Sequence, residues 1–180
     1  MRVISGRFGG RPLVAPRGRA TRPTSDRVRE ALFSILGWEG SVDGARVLDL
    51  FAGSGALAIE ALSRGAADAT LVDSSAAAVA AIRRNLTELG IDAEVRRQRA
   101  VAFCEQARGD GRQYDLVFLD PPYQRASGLG RQLSTALDPL LAAQARVISE
   151  SDRRAPLELE LPLLDERRYG DTLIRIHGPR

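Results

Sequence analysis

The chain is predicted to be one α/β domain built on a mostly parallel sheet. From Arg46 onward, short apolar segments typical of strands alternate with segments of helical periodicity, as repeated βα units do. The 180 residues, 44% of them hydrophobic and 27% charged, are enough for one ordinary core. Because βα units place helices on both faces of a sheet, we expect a doubly covered sheet with an antiparallel edge at its C-terminal end.

The N-terminal part is predicted to be an appendage to this core. Residues 1–16 are expected to form a short basic β-hairpin that turns at Gly9-Gly10, followed by an Arg/Gly/Pro loop over 16–23. Ser25 or Asp26 can cap the first helix, which Gly37 and Gly40 end. Its apolar residues recur with helical spacing: Val28, Ala31, Leu32, Ile35 and Leu36. We therefore divide the chain into an arm, 1–24, and a main domain, 25–180.

The remaining elements follow in the order that a doubly wound sheet requires. The predicted strands are Val47–Phe51, Ala69–Val72, Ala93–Arg97, Tyr114–Leu119 and Arg146–Ser149. The predicted helices are Ala56–Ser63, Ala76–Leu89 and Ala100–Ala107. Leucine spacing from Leu129 to Leu141 indicates a further helix that Pro139 interrupts. Leu157–Leu161 and Thr172–His177 are predicted to pair as a terminal antiparallel hairpin.

Charge is unevenly distributed. Every basic side chain except His177 is arginine, which binds phosphate bidentately and stacks on bases. Residues 1–29 hold eight Arg and one acid, a net charge of +7, whereas the rest of the chain carries −4. This arrangement favours a nucleic-acid partner over a merely solvated tail, because apolar residues are interspersed among the arginines. The candidates for RNA contact are Arg7, Arg11, Arg17, Arg19, Arg22 and Thr24.

Several function classes are disfavoured. No apolar run approaches the roughly 20 residues that span a bilayer, and the N-terminus lacks the apolar stretch of a signal peptide, so we expect a cytoplasmic protein. Cys104 is alone, which excludes a disulfide framework and a cysteine-based metal site. For Cys104 and the single His177, a buried thiol and a surface or edge-strand imidazole are favoured over a nucleophile–base pair. We expect a monomer without a metal.

The most informative segment is Asp120-Pro121-Pro122-Tyr123, which directly follows a predicted buried strand. Open α/β sheets bind ligands at the carboxyl ends of their strands. The prolines stiffen the turn and donate no hydrogen bond, so nearby carbonyls remain free to accept one. A carboxylate, free carbonyls and an aromatic face suit an exocyclic amine on a flat ring. Taken alone, the segment also fits a proline-rich turn without function.

A second motif, Asp49-Leu50-Phe51-Ala52-Gly53-Ser54-Gly55, lies at the first strand-to-helix junction. Its glycines allow a sharp turn and close approach of a ligand, while Asp73 after the next strand can accept hydrogen bonds from ribose hydroxyls. The spacing also matches a dinucleotide fingerprint, and a glycine-rich turn that binds nothing is a further alternative. Asp49 argues against a pyrophosphate, which it would repel. Its negative charge instead favours S-adenosylmethionine, which carries an ammonium and a sulfonium. The expected contacts are Asp49, Phe51, Ala52, Gly53, Ser54, Gly55, Asp73 and Ser74.

Both motifs are expected at one edge of the sheet, where a methyl group could pass from the sulfonium to an amine nitrogen. Such an in-line displacement needs neither a metal nor a covalent intermediate, only a nitrogen held about 3–3.5 Å from the methyl. The amine N–H groups can donate to Asp120 and the Pro121 carbonyl, which aims the lone pair at the methyl. Either Asp120 or water takes the released proton. Tyr123 can stack on a flipped base.

The chain resembles the bacterial 16S ribosomal RNA guanine-N2 methyltransferases of the RsmD type. The similarity extends over nearly the whole sequence, from an opening that contains Arg2-Val3-Ile4-Ser5-Gly6 to a closing strand marked by Tyr169-Gly170. The two central motifs alone indicate only an amino-group methyltransferase. The specific features are Arg22-Pro23-Thr24, the helix segment 27–33 and the long cofactor segment that continues through Glu60 to Ala66.

The resemblance implies the class I (Rossmann-like) S-adenosylmethionine-dependent methyltransferase fold with seven strands, and methylation of N2 of one guanine in small-subunit ribosomal RNA. Members of this type generally act on an assembly intermediate. By resemblance, Asp49, Gly53, Gly55 and Asp73 contact the cofactor and residues 120–123 form the catalytic turn. One departure concerns the adenine, because Ala100 stands where these enzymes often place an acid. Phe103 can pack near the adenine or in the core.

Other substrates and a different class remain open. The same turn chemistry serves methyltransferases acting on DNA adenine or cytosine amines, or on a protein glutamine amide. The absence of a separate target-recognition domain argues against DNA. A protein substrate is disfavoured because the basic arm would then have no acidic partner to explain it. A non-catalytic RNA-binding module with this fold is disfavoured by the intact Asp49 and Asp120.

Overall fold

The computed structural model describes residues 1–16, 25–122 and 128–180. The helices are α1 (Asp26–Trp38), α2 (Ala56–Ser63), α3 (Ala76–Leu89), α4 (Ala100–Gly109) and α5 (Leu129–Leu137). The strands are β1 (Arg46–Asp49), β2 (Asp68–Asp73), β3 (Glu94–Arg97), β4 (Tyr114–Leu119), β5 (Leu141–Asp152), β6 (Leu163–Tyr169) and β7 (Thr172–His177). Short 3-10 helices occupy Gly6–Phe8 and Asp138–Leu140.

The seven strands form one sheet in the order β3-β2-β1-β4-β5-β7-β6. Strands β1 to β5 are parallel to one another, and β7 is antiparallel to both β5 and β6. The predicted fold class, including the antiparallel C-terminal strand, is therefore confirmed. The strand order reverses at β1 and β4, and ligands of open α/β sheets bind in the crevice at such a reversal.

Two apolar clusters cover the two faces of the sheet. Helices α1, α2 and α3 pack on one face together with Val3 and Leu13 of the N-terminal segment. Helices α4 and α5 pack on the other face. Phe103 and Cys104 of α4 belong to this second core, and burial raises the pKa of the Cys104 thiol to about 12. Of the two alternatives for Phe103, the structure shows the core position, and the expectation of a buried thiol is confirmed.

The N-terminal segment is held against the domain by side chains of α2 and α3. The fully buried Glu60 carboxylate accepts hydrogen bonds from the Ile4 and Ser5 amides at 2.7 and 3.0 Å. Ser63 Oγ accepts from the Phe8 amide at 2.9 Å. Backbone hydrogen bonds link the two legs, but they amount to one isolated bridge, Arg2 with Pro12, so a regular hairpin over 1–16 is not confirmed. The proposed boundary at residue 24 lies outside the described residues.

The C-terminal hairpin differs from the prediction. The partner of β7 is Leu163–Tyr169, not Leu157–Leu161, and the turn between the strands is Gly170-Asp171. Leu157 and Leu161 are buried in the core beside α5, so their apolar alternation reports burial and not strand pairing. The true strand is an exposed, charged edge whose leucines, Leu163 and Leu164, are about half exposed. The sequence did not predict this strand because its composition is that of an exposed loop.

The ends of other elements also differ from the prediction. Helix α1 continues through Gly37 to Trp38, and Ser25 is its N-cap, accepting from the Val28 amide at 3.3 Å. The helical leucine pattern ends at Leu137, because Leu140 and Leu141 belong to the short 3-10 helix and to β5. Strand β5 is longer than predicted and β1 shorter. His177 was expected at the surface or on an edge, yet it is buried on β7, between β5 and β6.

Among the described residues, no helix is both long and apolar enough to cross a membrane.

Candidate active site

The strand register brings the two sequence motifs together at one edge of the sheet. Asp49, the last residue of β1, is level with Leu71 of β2 and Phe118 of β4. Asp73 and Asp120 lie two residues beyond those partners, one on each side of Asp49. Because side chains alternate between faces with a period of two, all three carboxyl groups are directed to the same face of the sheet. The structure thus juxtaposes residues that are far apart in sequence.

The glycine loop after β1 is shaped by its backbone and by Asp73. Gly53 and Gly55 have φ of +57° and +81°, which only glycine adopts readily. A Cβ at Gly55 would stand 3.0 Å from Leu71 Cδ2, so a larger residue would also disturb the packing of α2 on the sheet. The Asp73 carboxylate accepts from the Gly53 amide at 3.0 Å and the Ser75 amide at 2.8 Å. Asp73 therefore holds the loop, and each oxygen keeps a further lone pair for a ligand.

The other residues expected to contact a cofactor lie along this loop with different exposures. Ala52 and Ser54 are buried, Phe51 is partly buried, and Ser74 is exposed at the start of the turn into α3. The Ser54 carbonyl accepts a hydrogen bond from Asn85, as described below. Their contacts with the cofactor remain predictions.

The site is strongly acidic. Asp49 is 2% exposed, and burial together with the charge of Asp73 raises its pKa to about 7, although hydrogen bonds from the Phe51 and Ala58 amides oppose the shift. Burial raises the pKa of Asp120 well above its ordinary value, and the charges of Glu150 and Asp49 add to the effect. Among the described residues, no arginine forms an ion pair with Asp49, Asp73 or Asp120. A cluster of carboxyl groups without a cation fits a cationic ligand such as a sulfonium amino acid.

The turn after β4 presents Asp120 beside this cluster. Asp120 is partly exposed, Pro121 is buried and Pro122 is exposed. A buried Pro121 between two more accessible residues fixes the carboxyl group and the following carbonyls relative to the sheet. Tyr123 lies outside the described residues, so its expected stacking role stays a prediction.

Sequence reasoning missed Glu150. It is buried near the end of β5, two residues beyond Ile148, which pairs with Phe118. Glu150 is therefore level with Asp120 and extends the acidic row by one strand. The carboxyl end of β5, Ser149 to Asp152, is polar throughout, so an acid there gave no distinct signal in the sequence. Its position beside Asp120 depends on the pairing of β4 with β5.

Of the arginines predicted to bind RNA, the two that the structure describes do not border this edge. Arg7 and Arg11 are exposed, and they lie toward the C-terminal ends of α2 and α3. Arg11 donates to the Glu88 carbonyl at 3.0 Å, and the Arg7 guanidinium is 5.1 Å from the centre of the Phe8 ring. Arg17, Arg19, Arg22 and Thr24 lie outside the described residues.

A cleft of about 620 Å³ lies at the opposite edge, near the amino ends of strands β1 to β4. Its arginines are already paired, Arg46 with Asp115 and Arg112 with Glu94. The residue chemistry therefore favours the carboxyl edge over this cleft as the candidate active site. In the described part of the chain, no three or more His, Cys, Asp or Glu residues are grouped to hold a metal.

Solved structures share this architecture. A Thermus thermophilus protein described as hypothetical superposes with a TM-score of 0.87 and 29% identity over 99% of each chain. A T. thermophilus 16S rRNA N2 G1207 methyltransferase, solved with AdoMet and guanosine, has a TM-score of 0.70 over 91% of this chain and 44% of its own. At 21% identity, that likeness shows the fold alone. Fold and site together define a class I, S-adenosylmethionine-dependent methyltransferase.

Sequence comparison identifies the family. A family described as "Conserved hypothetical protein 95" matches residues 1–178. Ribosomal RNA small subunit methyltransferase D of Escherichia coli (strain K12) is 40% identical over 84% of this chain and 75% of its own length. The protein of that name from Haemophilus influenzae is 34% identical over 98% of this chain and 93% of its own. The chain belongs to this family, the RsmD-type methyltransferases.

Proposed function

We propose that the protein methylates the exocyclic N2 amine of a guanine in small-subunit ribosomal RNA, in the cytoplasm, using S-adenosylmethionine. The observation that carries the proposal is the acidic row at the carboxyl edge, where the glycine loop and the Asp120 turn become neighbours. The relatives named ribosomal RNA small subunit methyltransferase D support ribosomal RNA as the substrate. The motif resemblance to RsmD-type guanine-N2 methyltransferases and the Asp120 turn, which suits an exocyclic amine on a flat ring, support the guanine amine.

The chain's own residues suit this cofactor. Asp49 supplies a buried negative charge for the cationic part of the ligand, the loop from Gly53 to Gly55 allows close approach, and Asp73 accepts from ribose hydroxyls while it holds the loop. When bound, S-adenosylmethionine supplies a methyl group already activated by its sulfonium. Binding a cation beside Asp49 also lowers the pKa values of the surrounding carboxyl groups.

The turn from Asp120 orients the acceptor. The guanine amine is a poor nucleophile because its lone pair is conjugated with the ring. When its N–H groups donate to the Asp120 carboxylate and the Pro121 carbonyl, the lone pair is directed at the methyl, and the positive charge that develops on nitrogen is stabilised. Asp120, or water beside it, then accepts the released proton.

The partner is proposed to be an assembly intermediate of the small subunit, bound by a monomer that needs no metal. The basic N-terminal segment supplies the electrostatic attraction to phosphate. A structured intermediate presents an extended surface, which suits arginines that lie away from the catalytic edge.

The decisive experiment is mass spectrometry of nucleosides from 16S ribosomal RNA of a strain that lacks this protein. We expect the loss of one N2-methylguanosine, which returns when wild-type protein is expressed. Purified enzyme should then methylate undermethylated small subunits better than extracted 16S RNA. An unchanged nucleoside profile would refute 16S ribosomal RNA as the substrate. Equal activity on small subunits and on extracted 16S RNA would refute the preference for an assembly intermediate.

A further inference from the structure

Asn85 of α3 joins the N-terminal segment to the cofactor loop. Its side chain is 1% exposed and uses most of its hydrogen-bonding capacity. Nδ2 donates to the Val14 carbonyl at 3.0 Å and to the Ser54 carbonyl at 2.8 Å. Oδ1 accepts from the Val14 amide at 2.8 Å. The Asn85 carboxamide thus pairs with both backbone groups of Val14, as a neighbouring strand would. It also binds the carbonyl of Ser54, the middle residue of the glycine loop.

A second contact joins the same two parts. The Ser54 hydroxyl lies 3.3 Å from the Met1 sulfur, and the Leu13 amide donates to the Met1 carbonyl at 3.0 Å. Met1 therefore contacts Ser54 directly, and Val14 is linked to Ser54 through Asn85. Ser54 is 7% exposed, so these contacts are largely shielded from water.

The other end of the segment carries exposed arginines. Arg7 and Arg11 are exposed, although Arg11 also donates to the Glu88 carbonyl. Glu60 and Ser63 hold the backbone of this part of the segment against α2. Gly6 packs so closely that a Cβ there would overlap the Ser63 carbonyl oxygen. Segment 1–16 is thus a docked body with basic side chains at one end and the cofactor loop at the other.

We infer that Asn85 is a positioning residue through which RNA binding on segment 1–16 and cofactor binding on the glycine loop strengthen each other. The inference rests on the proposed function, since it needs RNA to be the ligand of the segment. RNA that holds the segment in its docked position favours the Asn85–Ser54 hydrogen bond, which orders the loop before the cofactor arrives. Because coupling between two binding sites is reciprocal, the cofactor must tighten RNA binding by the same factor.

The coupling is measured by equilibrium dialysis of labelled S-adenosylhomocysteine, with and without undermethylated small ribosomal subunits. This product does not react, so binding is observed alone. For wild-type protein we expect an affinity at least about five-fold higher in the presence of subunits, within the usual range of allosteric coupling. The reverse titration, subunit affinity with and without S-adenosylhomocysteine, should give the same factor.

Asn85→Leu keeps the number and branching of the side-chain heavy atoms but removes all three hydrogen bonds, and we expect its coupling factor to fall to about one. The matched control is Ser63→Ala, which also loses two hydrogen bonds to the segment but none to the cofactor loop. It should retain the wild-type factor. Asn85→Ala serves if the leucine prevents folding, and hydrogen exchange in wild-type residues 50–57 should slow when subunits bind.

Three results would overturn the inference: no coupling in the wild type, wild-type coupling in the folded Asn85 variants, or equal loss of coupling in Ser63→Ala. A methyl-transfer assay on the same subunits separates this failure from failure of the proposed function. Methylation without coupling refutes only the role of Asn85. Absence of methylation by wild-type protein refutes the proposed function itself.

Discussion

At the scale of single residues, the charge of Asp49 favours a cationic cofactor but destabilises the folded protein. Its carboxyl group is buried, and its pKa in the cofactor-free protein is raised to about 7. A cationic cofactor binds the ionised form, so binding must displace the proton at lower pH. This proton linkage makes the affinity for S-adenosylmethionine depend on pH near neutrality.

We therefore expect the affinity to rise with pH up to about 7, approaching ten-fold per unit on the acidic side, and then to level off. Isothermal titration calorimetry from pH 5.5 to 8.5, in buffers of different ionisation enthalpy, measures the affinity and the protons released. Asp49→Asn should bind more weakly and with a flatter pH profile. A wild-type affinity that does not change between pH 6 and 8 would contradict this assignment.

The raised pKa of Asp49 makes the stability of the cofactor-free protein fall with increasing pH, whereas the cofactor affinity rises. Because the folded-state pKa of Asp49 is raised above its ordinary value of 3.8, ionisation of the buried group destabilises the folded protein increasingly as pH rises from about 4 to 7. Cofactor-free Asp49→Asn should therefore be more stable than wild type at pH 8, by up to about 4 kcal/mol. The advantage should vanish near pH 4. Urea denaturation at both pH values checks this, and lower stability of the variant at pH 8 would count against it.

Asp120 contacts the acceptor and not the cofactor in the proposed mechanism. Asp120→Ala should lower kcat by about 100-fold or more, because the amine loses its orienting acceptor. Its affinity for S-adenosylmethionine should change little. The measurements are steady-state methyl transfer and calorimetry. Asp110→Ala, an exposed acid after α4, is the control and should behave as wild type. Equal loss of binding and turnover in Asp120→Ala would indicate a structural role instead.

At the scale of elements, the close packing of Gly6 on α2 holds the N-terminal segment in place, and Gly10 provides a control with the same backbone conformation but no such contact. Gly6 and Gly10 have nearly equal positive φ, +78° and +82°, but only Gly6 packs against Ser63. Replacing either by alanine brings a left-handed strain of about 1–2 kcal/mol. Gly6→Ala also forces the segment away from α2, so it should lower the free energy of unfolding more than Gly10→Ala does, by about 1–3 kcal/mol. Chemical denaturation measures both, and equal effects would mean that the segment is not held at Gly6.

Elements with strong internal periodicity were predictable, and edge elements were not. Helices α2 and α3 and strand β4 have the predicted bounds, because apolar spacing and terminal glycines define them locally. Strand β6 was missed because an edge strand needs no buried face, and its charged sequence resembles a loop. The error over Leu157–Leu161 had the same origin, since burial against α5 produces the alternation that a strand would show.

At the scale of the whole molecule, the basic segment and the catalytic edge are separated. Helix α2 begins beside the cofactor loop and has eight residues, so Arg7 near its far end is about 12 Å away along the helix axis. A substrate that contacts both must extend over this distance. A folded ribosomal intermediate does so, whereas a single nucleotide bound at the turn does not.

Neutralising Arg7 and Arg11 should weaken binding of undermethylated subunits and flatten its salt dependence. Each lost phosphate contact should reduce the slope of log affinity against log salt by roughly 0.7–0.9. Filter binding from 50 to 300 mM salt measures the slope, with Arg108→Gln as a control on the opposite face of the sheet. If the slope of the double variant equals that of wild type, these arginines do not belong to the interface.

The sequence by itself determined the order of elements, the two ligand motifs and the charge asymmetry, because each depends on residues close together in the chain. Only the tertiary structure decided what those motifs meet. Strand register aligned Asp49, Asp73, Asp120 and Glu150 on one face, and a buried Asn85 joined residue 14 to residue 54. The physical reason is that pairing across a parallel sheet and packing of helices on its face relate residues by position in space, which local spacing does not encode.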